Sequence, residues 1–502
     1  MSDGKANDHR AATGVPGLDY VLDGGLPKER MYLVQGAPGA GKTTMAMQFL
    51  LEGARRGEPG LYASLSETEE ELRDIAVSHG WQLDGIAICD LQSTQEELRT
   101  DSQYTLFHPS EVELSETTRS LLDMVDRVRP SRLVIDSLSE MRLLARDSLR
   151  YRRQILSLKQ YFTGRHCTVI LLDYSPEDSG DSQVQSLAHG LITLEHLALN
   201  YGGQRRRLRV QKVRGVAFRE GFHDFSIGHG GVVVYPRLVA ADHGHEGGLE
   251  TAASGIPELD SLLGGGISRG TSTMLLGPSG VGKTTIASQY AFAAAGRGER
   301  SAVYLFDELP AVWIERCQGL GMDVGEVADG GHITLRRVDP AELSPGEFAW
   351  SVRQAVESGV RLVVVDSLNG YQNAMLEDRF LALHMRELLS YLNEHGILSL
   401  LVLTQHGLVG SIVESPIELS YLADNVILLR YFEAFGEIRQ AISVVKKRTG
   451  AHERTIRELR LGKGGPRVGE ALADFQGVLG GDLTYVGSKD PLLAARSVVG
   501  AA

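Results

Sequence analysis

Cysteine is scarce in this sequence of 502 residues. Cys89, Cys167 and Cys317 are scattered, odd in number and outside any C-x-x-C spacing, so neither a disulfide framework nor a zinc site is indicated. Long hydrophobic runs are missing as well. No stretch of 18 or more apolar residues occurs, and the opening MSDGKANDHR lacks the apolar segment that a secretory signal needs. Positive charge is outnumbered, with 51 Lys and Arg against 64 Asp and Glu. The resulting net charge of −13 argues against a chain that coats nucleic acid or an anionic membrane. These absences lead to the expectation of a soluble, cytoplasmic protein that has no membrane contact and does not take nucleic acid as its partner.

An apolar fraction of 42% and a charged fraction of 23% are those of ordinary globular proteins, and the length suffices for two or three domains. The most informative stretch occurs twice. Gly36-Ala37-Pro38-Gly39-Ala40-Gly41-Lys42-Thr43 and Gly277-Pro278-Ser279-Gly280-Val281-Gly282-Lys283-Thr284 both read G-x-x-x-x-G-K-T. The glycines of this pattern let successive backbone N–H groups turn inward around phosphate oxygens at a helix N-terminus. Gly36, Gly39, Gly41, Lys42, Thr43 and Thr44 in one copy, and Gly277, Gly280, Gly282, Lys283, Thr284 and Thr285 in the other, are therefore candidate ATP ligands. Lys42 and Lys283 would reach the β- and γ-phosphates, and Thr43 and Thr284 would offer hydroxyls to Mg²⁺. Apolar runs precede each copy (MYLVQ, TMLLG) and helix-like sequence follows (TMAMQFLLEGARR, TIASQYAFAAAGR), as the mechanism requires.

The repetition extends beyond the loop. TGVPGLDYVLDGGLPKER precedes the first copy and SGIPELDSLLGGGISRG the second, and the offset is 241 residues at Gly14 and Gly255, Lys42 and Lys283, and Glu67 and Glu308. A period of that size marks a duplicated domain and not a solenoid. The expected layout is a flexible start (1–12), a first domain (13–236), a glycine-containing linker (237–253), a second domain (254–480) and a short tail (481–502). Within each half, strand-like runs alternate with helical patterns such as YRRQILSLKQYF and RFLALHMRELLSYLNEH, which predicts α/β domains with a mainly parallel β-sheet flanked by helices. His243 and His245 in the linker invite a metal reading, but no further ligand stands at zinc spacing and two solvated histidines are the simpler account.

An apolar strand ending in aspartate follows each loop: RLVIDS with Asp136 and RLVVVDS with Asp366. A carboxylate there holds Mg²⁺ through water opposite the loop threonine, the alternative being a helix-capping Asp-Ser. Glu67 and Glu308, each 25 residues after its loop lysine, stand where a carboxylate could orient or deprotonate the attacking water. Asp307 precedes Glu308, whereas Ser66 precedes Glu67, so the acidic pair exists only in the second half. The competing reading is an exposed carboxylate at a helix start, as ETEEEL suggests. Late in each half comes a basic couple, Lys212 with Arg214 and Lys446 with Arg448, which either lies in solvent or supplies positive charge to a neighbouring subunit's γ-phosphate. The run Arg205-Arg206-Arg207 has no interleaved aromatics and is a weak nucleic-acid signal. The polar segment from Leu91 to Arg119 reads as a solvated loop and helix over the first domain.

The order of motifs from Thr13 to about Gly480 resembles the KaiC family of RecA-like ATPases. The TGVPGLD and SGIPELD entries match, as do both loops, SET and DEL, VIDSLSE and VVDSLNG, QKVRG and VKKRTG, and the long block ADNVILLRYFEAFGEIRQAISVVKKRTGAHERTIRELRLGKGGP. The resemblance implies two tandem RecA-like P-loop domains. It also implies a homohexamer of two stacked rings with ATP between subunits, Lys212, Arg214, Lys446 and Arg448 reaching across to the neighbour's nucleotide. It further implies hydrolysis in the first ring and serine/threonine autokinase and autophosphatase activity in the second, with a KaiB-like or other signalling protein as partner. Ser420 falls on the acceptor serine, Tyr421 stands where the acceptor threonine is expected, and Asp307 replaces the glutamate base. A clock-like phosphorylation switch is thus the first reading, a hexameric ATPase scaffold without autophosphorylation the second, and a DNA motor the least favoured.

Overall fold

The computed structural model describes residues 9–91, 109–145, 147–174, 182–198, 202–238, 250–325, 331–339, 341–373, 381–405, 422–478 and 484–486. Ser420, Tyr421, His243 and His245 lie outside the described residues. The chain divides into two units, Met1–Arg237 and Leu238–Ala502.

In the first unit the strands are β1 (Met31–Gly36), β2 (Gly60–Ser64), β3 (Ile86–Asp90), β4 (Arg132–Asp136), β5 (Thr168–Asp173), β6 (Gly190–Leu197), β7 (Arg205–Val213), β8 (Phe222–Gly228) and β9 (Gly231–Tyr235). They form one sheet in the order β9-β8-β7-β6-β1-β5-β4-β2-β3. The six strands from β6 to β3 run parallel, and β7, β8 and β9 extend the sheet as antiparallel ribbons. The central strands read as unbroken apolar runs because helices cover both faces. Successive side chains therefore enter different cores. Tyr32 and Val34 pack with the helix that follows the loop, whereas Met31 and Leu33 pack with the helices Pro109–Val128, Leu138–Ala145 and Ser148–Phe162. In the Ser/Thr/Gln/Glu-rich segment, the helix from Pro109 buries Leu114, Leu121 and Val125, so its inner face belongs to the core and is not solvated.

The second unit repeats the plan with β10 (Ser272–Gly277), β11 (Arg300–Leu305), β12 (Ile333–Arg337), β13 (Val360–Asp366), β14 (Leu398–Thr404), β15 (Asn425–Ala434), β16 (Glu437–Lys447), β17 (Ile456–Gly462) and β18 (Gly465–Ala471). Their order is β12-β11-β13-β14-β10-β15-β16-β17-β18, with the last three antiparallel. Met274, Tyr304 and Val363 face one core and Leu275, Val303 and Val364 the other. Each unit thus has the expected α/β organisation with a mainly parallel sheet. The antiparallel ribbons matter for the site, because they fold back over the glycine loops.

Candidate nucleotide sites

Each glycine loop joins a central strand, fully buried in the first unit and nearly so in the second, to a helix, α1 (Lys42–Arg55) in the first unit and α3 (Lys283–Gly296) in the second. Gly41 and Gly282 cap these helices at φ of 94° and 109°, a region that side-chain-bearing residues rarely adopt. The ribbons leave no room for a side chain either. A Cβ on Gly41 would lie 2.6 Å from Ile227 Cδ1, and one on Gly282 would lie 2.9 Å from Leu461 Cδ1. With no side-chain cap at either N-terminus, the first backbone N–H groups are left for an anion.

Lys42 Nζ donates to the carbonyls of Gly36 and Ala37 at 2.8 and 3.0 Å, and Lys283 Nζ to that of Pro278 at 2.6 Å, so each ammonium sits within the curl of its loop. Burial lowers Lys42 below the usual lysine range and pushes Lys283 down to about 8, with Asp366 opposing the shift. A buried ammonium whose hydrogen bonds go to backbone carbonyls favours a phosphate ligand. Thr44 and Thr285 are buried, with Thr44 Oγ1 3.5 Å from His79 Nε2. Only their backbone N–H groups remain suited to a phosphate.

Asp136 and Asp366 end β4 and β13 and are 5% and 7% exposed. Thr43 Oγ1 donates to Asp136 Oδ2 at 3.1 Å, and the Thr284 side chain hydrogen-bonds the Asp366 carboxylate. A hydroxyl and a carboxylate held side by side beside a phosphate loop suit Mg²⁺, which keeps most of its waters and borrows few protein ligands. Burial pushes Asp366 up to about 6 and raises Asp136, and Asp366 Oδ2 is buried with no hydrogen-bond partner. That orphaned oxygen fits a cation or its water shell. The residues present therefore fit both ATP and Mg²⁺. Among the described residues no cluster of three or more His, Cys, Asp or Glu forms a separate all-protein metal cage.

The carboxylates after the second strand differ between the units. Glu67 stands one residue before the N-cap Thr68 of the helix α2 (Glu69–Ser78), whose N-terminus is capped by Thr68 and Glu71 in a reciprocal capping box. Glu67 is thereby released from the capping role that its sequence context also allowed. Its Oε2 is buried with no hydrogen-bond partner, and burial first, then the charge of Asp136, push it up to about 7. Glu308 precedes the corresponding helix α4 (Pro310–Gly319), which has no side-chain cap. Both of its oxygens accept from Arg316, Oε2 from Nη1 at 2.5 Å and Oε1 from Nη2 at 2.7 Å. Asp307 accepts from the Ser367 hydroxyl and so points back toward the end of β13.

Lys212, Arg214, Lys446 and Arg448 do not approach their own loops. Leu33 pairs with Leu191, which pairs with Lys212, so Lys212 stands level with a residue three positions before Gly36, about 10 Å back along the strand. Lys446 is level with Met274, three positions before Gly277, through Val426. Lys212 Nζ donates to the Gln185 carbonyl, Arg214 to that of Ser186 at 2.7 Å, Lys446 to that of Ala423 at 2.7 Å and Arg448 to Asp424 at 3.0 Å. All four thus sit at the sheet end remote from their own glycine loop. In the arginine run, Arg207 pairs with Glu195 at 2.8 Å and lies over the ring of Phe222.

Three further groups carry no motif in the sequence. Tyr62, wholly buried, donates to Asp136 Oδ2 at 2.6 Å. Asp173, at the end of β5 beside the loop strand, is 0% exposed and accepts from Arg142 at 2.7 Å and from Ser139 at 3.1 Å. Arg316 is the third. Position alone offered one signal, since Asp173 ends the strand next to the loop strand and Tyr62 lies on the strand next to that of Asp136, but the pairing of Arg316 with Glu308 depends on the rotation of α4 and leaves no pattern.

The family described as "ATPase: KaiC" matches residues 11–239 and again 252–472. The chain is 26% identical over 490 residues to a protein named circadian clock protein KaiC3 of Synechocystis sp., covering 95% of each. It is 24% identical over 485 residues to the circadian clock oscillator protein KaiC of Synechococcus elongatus (94% of this chain, 92% of the relative). The KaiC of Acaryochloris marina is 23% identical over 489 residues, with 94% and 91% covered. The chain belongs to the KaiC ATPase family, and its two units are the tandem RecA-like repeats of that family. Among the described residues, no helix is long and apolar enough to cross a membrane.

Proposed function

We propose that this member of the KaiC family binds Mg-ATP at both glycine loops and hydrolyses it at two unequal sites. Glu67 and Glu308 act on the attacking water, and the C-terminal unit transfers some of its γ-phosphate to Ser420. The observation that carries the reading is the constellation built twice on one fold. It comprises a loop lysine inside its own curl, a loop threonine bonded to a strand-end aspartate, and a glutamate after the next strand.

The roles follow from the geometry. The N–H groups at the starts of α1 and α3, with Lys42 and Lys283, receive the phosphates and neutralise charge that grows as the γ-phosphoryl group leaves. Thr43 with Asp136, and Thr284 with Asp366, are the groups that would hold Mg²⁺, which would supply positive charge against the phosphates. Glu67, with a buried oxygen free, takes or orients the proton of water. Lys212, Arg214, Lys446 and Arg448 face away from their own loops, which supports a head-to-tail ring where each serves the neighbour's nucleotide. A closed homohexamer in the cytoplasm, signalling to a KaiB-like or other partner, is the assembly this reading favours. Asp307, turned to Ser367, stands beside Glu308 as a second acid at the kinase site.

The deciding experiment follows γ-labelled ATP with Mg²⁺ in the wild type and in Ser420→Ala. Label on the protein that disappears in the variant supports the autokinase. Label leaving only as free phosphate, equally in both, leaves the scaffold ATPase as the function.

A further inference from the structure

The two units share a backbone plan but not the environment of the glutamate that faces the nucleotide. Helices α2 and α4 are both ten residues long and begin 241 residues apart, at Glu69 and Pro310. At that offset Arg316 corresponds to Ile75, a residue that packs against the first core and donates nothing. Arg316 binds both oxygens of Glu308 through Nη1 and Nη2, the geometry in which a guanidinium grips a carboxylate most firmly. The pair is half-buried, with side chains 31% and 21% exposed, so solvent screens it only in part. A carboxylate with both oxygens engaged is a poorer acceptor for a water proton than one with a free buried oxygen, which is the condition of Glu67. The Arg316 Nε is buried without a hydrogen-bond partner, so the guanidinium has donor capacity that the Glu308 pair does not use. Arg316 also acts electrostatically on Asp366, so it stands within the field of the phosphate site.

We propose that Arg316 is a positioning residue that latches Glu308 and holds back hydrolysis at the C-terminal site, a restraint the N-terminal site lacks. This rests on the reading of Glu67 and Glu308 as the groups that act on water. The residue acts through Glu308 and does not itself touch the reacting atoms.

The test uses the full chain with Mg-ATP, reading steady-state phosphate release. In a Glu67→Gln background, which isolates the second site, Arg316→Gln should raise kcat about tenfold with KM little changed, a fraction of the ~10²–10⁴ that general-base catalysis contributes. Arg316→Lys, which keeps one contact in place of two, should fall between. Adding Glu308→Gln to the Arg316→Gln protein should abolish the gain, which a merely structural effect of the substitution would not do. Turnover in Glu67→Gln/Arg316→Gln no higher than in Glu67→Gln, with ADP binding and Tm retained, overturns the latch. If Arg316→Gln does not fold, the Lys variant decides: faster supports the latch, equal or slower removes it. If Glu67→Gln/Glu308→Gln keeps wild-type turnover, the carboxylate reading itself fails and takes the latch with it.

Discussion

Glu67 lies within the field of Asp136, and burial, reinforced by that neighbouring charge, pushes the Glu67 carboxyl up to about 7. The folded protein therefore holds this proton more tightly than the unfolded chain, where the group titrates near 4.5. Its contribution to stability is greatest at low pH, is lost as pH rises from about 4.5 to about 7, and is constant above that. Glu67→Gln removes the group that must ionise. Its Tm should exceed that of the wild type at pH 8, and the gap should shrink at pH 5. Melts of nucleotide-free protein at both values test this, and an offset equal at both would exclude the titration of Glu67 as its cause.

Gly41 and Gly39 both have positive φ, but only Gly41 is roofed. A Cβ on Gly41 meets Ile227, whereas one on Gly39 has nothing within 4 Å. Gly39→Ala should cost about 1–2 kcal/mol of backbone strain. Gly41→Ala adds overpacking of about 1–3 kcal/mol and tilts the helix N-terminus. Isothermal titration with Mg-ADP should show binding to the first site weakened by Gly39→Ala and abolished by Gly41→Ala.

Arg132, 1% exposed, ties three parts of the first unit together. It donates to Glu58 at 2.6 Å and to the carbonyls of Ala12 and Phe49 at 2.7 Å, and its guanidinium lies over the ring of Phe49. Arg132→Met leaves those two carbonyls without their donor, so a loss of about 3 kcal/mol is expected. Urea unfolding of the N-terminal unit should show a lower midpoint, and an unchanged midpoint would refute the tie.

Lys212 and Lys42 stand at opposite ends of one sheet, so a chain lacking one can be complemented by a chain lacking the other only if they meet across subunits. In a Glu308→Gln background, Lys42→Ala and Lys212→Ala should each lose phosphate release. Mixed and allowed to reassemble in equal amounts, they should regain about a quarter of it, the fraction of random head-to-tail contacts that join an intact loop to an intact lysine. No recovery after subunit exchange would place Lys212 outside the neighbour's site.

Much of this was legible in the chain itself. The runs MYLVQ and RLVID had to be buried parallel strands because they are apolar on both faces, and Asp136 had to sit at a strand end beside a loop that needs a carboxylate. The position of Glu67 was legible too, but not its freedom, because ETEEEL offers several carboxylates for one helix start and only the Thr68–Glu71 box shows which of them caps. Tyr62, Asp173 and Arg316 escaped notice for a common reason. Their partners lie 74, 31 and 8 residues away, and the contacts depend on strand order and helix rotation, which leave no trace in local spacing. The roofing by Ile227 and Leu461 was equally hidden, since it requires the antiparallel ribbons to curl over the loops.

If Lys212 and Lys446, held at the sheet ends away from their own glycine loops, serve the neighbouring copy's nucleotide as proposed, dilution becomes a form of control. A solitary copy would hold nucleotide yet lack the charge that speeds its cleavage, so turnover per chain would rise with the number of chains present and fall when a ring comes apart. Abundance and activity would then cease to be independent quantities, and a cell that halved the amount of this protein would reduce its ATP consumption by more than half.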